Sequence, residues 1–224
     1  MDSGLFCSHH AAVKGKGYIA DLIAQGEHEH QDFKYQISDA RKIARSISAF
    51  ANNSGGRLLI GVKDNGHVVG VKSDEEIYMI EQAASMYCRP EQQVKFELFK
   101  VDGKTVLKVD IAEASLKPVK APDEKGLWKA FYRVADENVL ASSMHVKVMQ
   151  HQSQLRDNDA LLSLSPIEQQ LIDYLSTHGG ITIDGYMRLA HVSRRSAEAT
   201  VISLCEMKVV DLTYHDGQCL ITRT

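Results

Sequence analysis

The sequence predicts an α+β protein: a mixed α/β domain followed by a small winged helix domain. Three observations carry that class. Helical and strand patterns alternate through the first two thirds of the chain, the turns between strands are of hairpin type, and the last sixty residues run as three helices and a hairpin. A polar, amide-rich stretch from Gln150 to Ser165 separates the two patterns. The expected division is a domain over residues 1–150, a linker over 151–164 and a second domain over 165–224.

In the first domain, Ser38 is placed to cap a helix carrying Ile43, Ile47 and Phe50 at helical spacing, and Asn53-Ser54-Gly55-Gly56 stops it. Residues 57–63 read as a buried strand. Asn65-Gly66 then turns into 67–71, a hairpin signal. A second helix is expected from Asp74 to about Tyr87, with Ile77, Ile80 and Ala84 on its apolar face. Strands over 94–100 and 105–111 flank the turn Val101-Asp102-Gly103-Lys104, and 128–134 is a further strand. Antiparallel hairpins of this kind favour α+β over a doubly wound sheet.

The second domain opens on Ser165-Pro166-Ile167-Glu168, a capping box with proline at the first helical position. Ile167, Leu171, Ile172 and Leu175 face inward, and His178-Gly179-Gly180 ends the helix. A short helix follows through Tyr186, Met187 and Leu189. Ser193 caps a third, with Ala197, Val201, Leu204 and Cys205 on one side. Strands 209–214 and 218–222 surround His215-Asp216-Gly217. This is the element order of a winged helix-turn-helix.

Composition bounds the rest. The 224 residues are 44% apolar and 25% charged, ordinary for globular domains. No run of about 18 apolar residues is present, and the first residues lack a cationic-then-apolar signal pattern, so a cytoplasmic protein without membrane association is expected. Four scattered cysteines without a Cys-x-x-Cys pair indicate free thiols rather than disulfides or a zinc knuckle.

The net charge is −3, from 26 basic and 29 acidic residues. Residues 1–150 hold 20 of each sign, and 151–224 hold 6 basic and 9 acidic. Global attraction to a polyanion is excluded as the main driving force, so any nucleic-acid contact must come from a local cluster. One candidate is 95–133, with nine basic and six acidic residues. There Lys117, Lys120, Lys125, Lys129 and Arg133 surround Trp128, Phe131 and Tyr132, a mixture suited to phosphates and unpaired bases, and equally to a strand with a charged outer face. Arg194, Arg195 and Ser196 begin the third helix of the tail, where arginines can grip guanine in the major groove. A winged helix can equally serve as a dimerisation module.

Gly26-Glu27, then Asp32-Phe33-Lys34, then Ala49-Phe50-Ala51-Asn52 with Gly55-Gly56, then Gly61-Val62-Lys63-Asp64-Asn65-Gly66, and finally Tyr132-Arg133-Val134 stand in order. At these residues the sequence resembles the Schlafen AlbA-like family over most of residues 19–145, which implies a Schlafen AlbA-like mixed α/β fold for the first domain. The bacterial members of that family are described as DNA-binding domains of transcriptional regulators, often with a trailing winged helix. The resemblance implies a DNA-binding transcriptional regulator without a cofactor, with double-stranded DNA as partner. Arg41, Arg45 and Arg57, near the helix and strand of the motif, join Lys34 as phosphate contacts. A homodimer would pair two recognition helices with two half-sites.

The resemblance also implies an alternative. Vertebrate Schlafen relatives cleave RNA with a metal-dependent acidic trio, which falls here on Glu27, Asp32 and Asp64, both as catalytic groups and as ligands of Mg or Mn. Asp32 stands where the family usually has glutamate, one methylene longer. His28 and His30 alternate with Glu27 and Glu29, so an extended chain would put imidazoles on one side and carboxylates on the other. Gly55-Gly56 belongs to no phosphate-loop motif and is expected to end the helix and enter a buried strand.

Overall fold

A computed structural model describes residues 16–152 and 164–224. Its element order is α1 (Lys16–Ala24), β1 (Gln31–Lys34), α2 (Ala40–Asn52), β2 (Gly56–Ile60), α3 (Glu75–Met86), β3 (Val94–Val101), β4 (Lys104–Ile111), β5 (Lys120–Pro122), β6 (Trp128–Val134), β7 (Glu137–Leu140), α4 (Ser143–Gln152), α5 (Pro166–Thr177), α6 (Ile183–Ala190), α7 (Arg194–Glu206), β8 (Val210–His215) and β9 (Gln218–Arg223). The class is α+β.

The chain divides into one compact unit ending at Leu140 and a second beginning at Ala141. The division falls ahead of the expected boundary at 150 because α4 belongs to the second unit, where Met144 and Val148 join Leu171, Leu204 and Val201 in one core. Of the expected linker, residues 153–163 lie outside the described residues.

In the first unit a four-stranded sheet runs in the order β1-β2-β4-β3, with β1 parallel to β2 and the other pairs antiparallel. Alternation along β2 sends Leu58 and Ile60 toward α2, and Leu59 to the cluster that contains Ile19 and Leu22 of α1. A second sheet, β5-β6-β7, packs on α2 from the other side. Covered by both sheets and α3, α2 is buried nearly throughout, including Ser46, Ser48 and Asn52. Small residues allow that close approach, and each of these buried polar side chains has a hydrogen-bond partner.

Two local expectations are corrected. The α2 cap is Asp39, not Ser38: Asp39 is extended and its carboxylate accepts from Arg41 N at 2.8 Å. The segment 67–71 is not a strand, because after the single Val62–Val68 bridge its amides turn elsewhere. Val69 N and Gly70 N both donate to Gly61 O, and Val71 N donates to Thr105 O. The Asn65-Gly66 turn itself forms, with Gly66 at φ +78°.

The second unit has the expected caps. Ser165 and Glu168 complete the capping box in both directions, and Ser193 accepts from Ser196 N at the start of α7. The β8–β9 hairpin turns at Asp216 and Gly217, both with positive φ. Cys88 and Cys205 are buried thiols and Cys219 is half-buried; Cys7 lies outside the described residues. Among the described residues, no helix is long and apolar enough to cross a membrane.

Candidate nucleic-acid interface

The site begins with two asparagines at the end of α2. Asn52 donates to Val119 O and Phe131 O, each at 2.8 Å, and accepts from Val119 N at 2.7 Å. Asn53 donates to Arg133 O at 2.9 Å and Glu29 Oε1 at 3.0 Å, and accepts from Arg133 N at 3.0 Å. These amides fasten β6 and the approach to β5 onto the helix, so the second sheet has one position.

That fastening buries Arg133, which is 1% exposed. Its guanidinium donates to Asn138 Oδ1 at 3.1 Å and to the carbonyls of Gln31 and His28 at 3.2 and 3.4 Å. It also stands 4.9 Å from the Phe50 ring centroid and 3.7 Å from Asp32 Oδ2. Arg133 is therefore not an exposed phosphate contact but the counter-charge of a buried acid, as an arginine this deeply desolvated must be.

Asp32 is 4% exposed at its side chain and meets Lys34 Nζ at 2.7 Å. Glu27 lies beside it, its Oε1 accepting from Phe33 N at 2.8 Å. Burial first, then hydrogen bonding to Asp32, pushes the Glu27 carboxyl up to about 7. The two carboxyls thus share a site with one ammonium and one guanidinium.

The third member of the expected trio is elsewhere. Asp64 is exposed in the turn after β2, and among the described residues no three His, Cys, Asp or Glu side chains are grouped to hold a metal ion. With Asp32 already neutralised by Lys34 and Arg133, these residues do not fit a divalent cation shared by Glu27, Asp32 and Asp64. Nor do residues 27–30 run extended: His28 and Gln31 exchange backbone hydrogen bonds of 2.9 and 3.0 Å around a tight turn. That turn removes the expected alternation of imidazoles and carboxylates. His28 Nδ1 accepts from His30 N, and His30 Nδ1 faces Gly55 O at 3.1 Å.

Toward the solvent side of this cluster lies a cleft of 690 Å³ between α2 and the second sheet. Lys34, Lys42, Arg45 and Lys125 border it, against Asp123 and Glu124, over an apolar floor that includes Phe131 and Leu140. Arg45 is steadied by Pro122 O at 3.0 Å, and its ion pair with the highly exposed Glu124 is long, at 3.8 Å. Lys42 carries no signal of its own in the sequence, because the α2 pattern marks it only as a solvent-side position. The fold brings it opposite the 123–127 turn.

The other expected contacts are dispersed. Arg41 is exposed, 5.6 Å from the Tyr87 ring centroid. Lys117 is pinned to Asn53 O at 2.9 Å and Glu113 at 2.7 Å, with only 12% of its side chain exposed, so it closes the α2 terminus rather than facing outward. Lys120 is half-buried on β5, and Lys129 is exposed on β6. The expected aromatic platform is not open: Phe131 is buried, and the Trp128 ring is covered by the Arg89 guanidinium at 3.8 Å. Arg57 borders a different cavity.

In the second unit, Arg194 at the start of α7 is engaged by Asp184 at 3.0 Å and Glu198 at 3.2 Å. Arg195 is exposed and borders a concavity with Lys147 and His151. Ser196 is half-buried, its amide donating to the Ser193 cap. Lys147 also pairs with Glu198 and holds that carboxyl below its usual range.

The first unit is thus an α+β domain with a helix between two sheets and a cationic cleft along that helix. Residues 27–142 match the family Schlafen, AlbA_2, and the chain belongs to that family. No curated protein matches the chain. Among solved structures, the DIP2311 protein from Corynebacterium diphtheriae is similar at 19% identity with a TM-score of 0.44, covering 86% of this chain and 34% of the other. This chain spans about a third of that structure's length. The N-terminal domain of a RecG-related protein from Nitrosomonas europaea is similar at 23% identity with a TM-score of 0.41, covering 67% of this chain and 95% of the other.

Proposed function

We propose that the protein binds nucleic acid and acts as a DNA-binding transcriptional regulator, with the α2 cleft holding a phosphate backbone and the second unit serving as a winged helix. One observation carries the reading. Lys42, Arg45 and Lys125 converge with the Asp32-paired Lys34 on one cleft, where they outnumber Asp123 and Glu124, although the domain as a whole is electrically balanced. Local convergence of this kind offsets the lack of global attraction. Membership of the Schlafen, AlbA_2 family is consistent with it.

In the second unit, the helix–helix–helix–hairpin order supports α7 as a recognition helix, and Arg195 is its exposed cation without an ion pair among the described residues, Arg194 being exposed but paired. The acidic balance of this part of the chain makes its contact with duplex DNA weak as a single copy. A homodimer presenting two such helices to a palindromic duplex supplies the missing affinity.

The test is fluorescence anisotropy with labelled duplex DNA, single-stranded DNA and RNA between about 50 and 200 mM salt. Duplex binding that weakens steeply with salt, with a stoichiometry of two chains per site, supports the regulator. Salt-insensitive binding, or none to any of the three, overturns it.

A further inference from the structure

A second cavity in the first unit, of 460 Å³, shares no lining residue with the cationic cleft. It lies at the Gly56 end of β2. Strand register sets Gln31 beside Arg57, Arg57 beside Asp110, and Asp110 beside Lys95, so these four side chains start from one face of the sheet. Two of the four are already engaged. Gln31 donates to the carbonyls of Leu22 and Gly26, and Asp110 is held by Lys108 Nζ at 2.7 Å.

Arg57 and Lys95 are not engaged: among the described residues neither side chain has a hydrogen bond or ion pair. Arg57 is half-buried and its charge has no protein partner among the described residues. His30 adds a third polar head at the same cavity. Its Nδ1 faces a carbonyl, Gly55 O, which can only accept, so Nδ1 donates there and Nε2 is left for another partner. The adjoining turn is backbone packed tightly from beneath: a Cβ at Gly56 would stand 2.3 Å from the Phe50 ring, and one at Gly55 would stand 2.8 Å from Ile111 O. After burial, the neighbouring charges of His30, Arg57 and Arg133 hold the His28 imidazole below its usual range.

We propose that this cavity binds a small phosphate monoester, with Arg57 forking the phosphate oxygens, Lys95 supplying a further positive charge and His30 a polar contact. The chemistry selects this class. A phosphate monoester carries nearly two negative charges at neutral pH, and a planar guanidinium fits its oxygens in pairs. The volume sits in the lower part of the range for small-molecule pockets and suits a sugar phosphate or mononucleotide. The site stands independently of nucleic-acid binding in the α2 cleft.

The test is calorimetric titration of the full chain with ribose 5-phosphate, AMP and inorganic phosphate, using ribose as the uncharged control. The three phosphates are expected to bind with Kd at or below about 1 mM and ribose not at all. Lys95→Ala and Arg57→Gln should each weaken binding about tenfold, while Lys129→Ala, on neither cavity, leaves it unchanged. Lys95 is exposed, so its variant keeps the fold even if the Arg57 variant does not. Competition by a 5′-phosphorylated dinucleotide but not its 5′-hydroxyl counterpart would assign the same monoester site to a strand end, and lack of competition would assign it to a free small molecule. Failure of all three phosphates to bind at about 10 mM, or a folded Lys95→Ala variant that binds them as tightly as the wild type, overturns the site.

Discussion

Asn53 and Arg133, 80 residues apart in the chain, hold each other through two backbone-to-amide hydrogen bonds of 2.9 and 3.0 Å. The C-terminal end of α2 and the end of β6 are thereby joined. Phe131 and Asn138, which line the cationic cleft, stand on either side of that join.

Asn53→Ala removes three hydrogen bonds and leaves two backbone groups of Arg133 to find other partners. The expected loss is about 3 kcal/mol of folding stability, read as a lower midpoint in urea at unchanged slope.

Arg133→Met tests the structural role of a residue whose position in a strand suggests phosphate contact. Losing the counter-charge of Asp32 should cost about 3 kcal/mol in stability. Affinity of the folded fraction for nucleic acid should stay at the wild-type level. A variant of normal stability with abolished affinity would return Arg133 to the interface.

Glu27 makes stability pH-dependent in a defined direction. Its carboxyl is raised from 4.5 to about 7 in the folded protein, so between those values the native state binds more protons than the unfolded chain. Its contribution therefore falls as pH rises through this window and is at its lowest above about 7. Glu27→Gln, which stays neutral and keeps an acceptor for Phe33 N, should flatten the profile, gaining on the wild type as pH rises from about 5 to about 7. Denaturant unfolding at a series of pH values measures the difference between the two slopes.

At the start of α7, Arg194 is occupied by Asp184 and Glu198, whereas Arg195 is exposed. Arg195→Ala should weaken duplex binding by about tenfold, as expected for removal of one arginine contact, and Arg194→Ala by less. Anisotropy titrations of the two single variants on one duplex decide the order.

Much of this architecture is legible in the residues. Ser165 with Glu168, Ser193, and the Asp102-Gly103 and Asp216-Gly217 turns mark element ends because caps and positive φ demand particular side chains. Neighbouring residues of equal capping ability are not separable in this way, which is why Asp39 rather than Ser38 ends up at the start of α2. The short strands β1, β5 and β7 carry too few residues for a period to show, and they exist because β2 and β6 offer them edges. The site is legible only in part for a related reason. Arg133 and Lys129 share one strand and look alike in sequence, yet one is buried against Asp32 and the other is exposed. Burial of a charge depends on a partner supplied from far along the chain, and no local pattern announces it.

The most direct measurement is the salt dependence of nucleic-acid affinity for the wild type and for a Lys42→Ala, Arg45→Ala, Lys125→Ala triple variant. Removing each phosphate contact should lower the slope of log affinity against log salt by about 1, so a markedly shallower slope and much weaker binding at low salt are expected of the triple variant. A triple variant that folds normally and binds with the wild-type slope would contradict the assignment of the α2 cleft as the nucleic-acid interface.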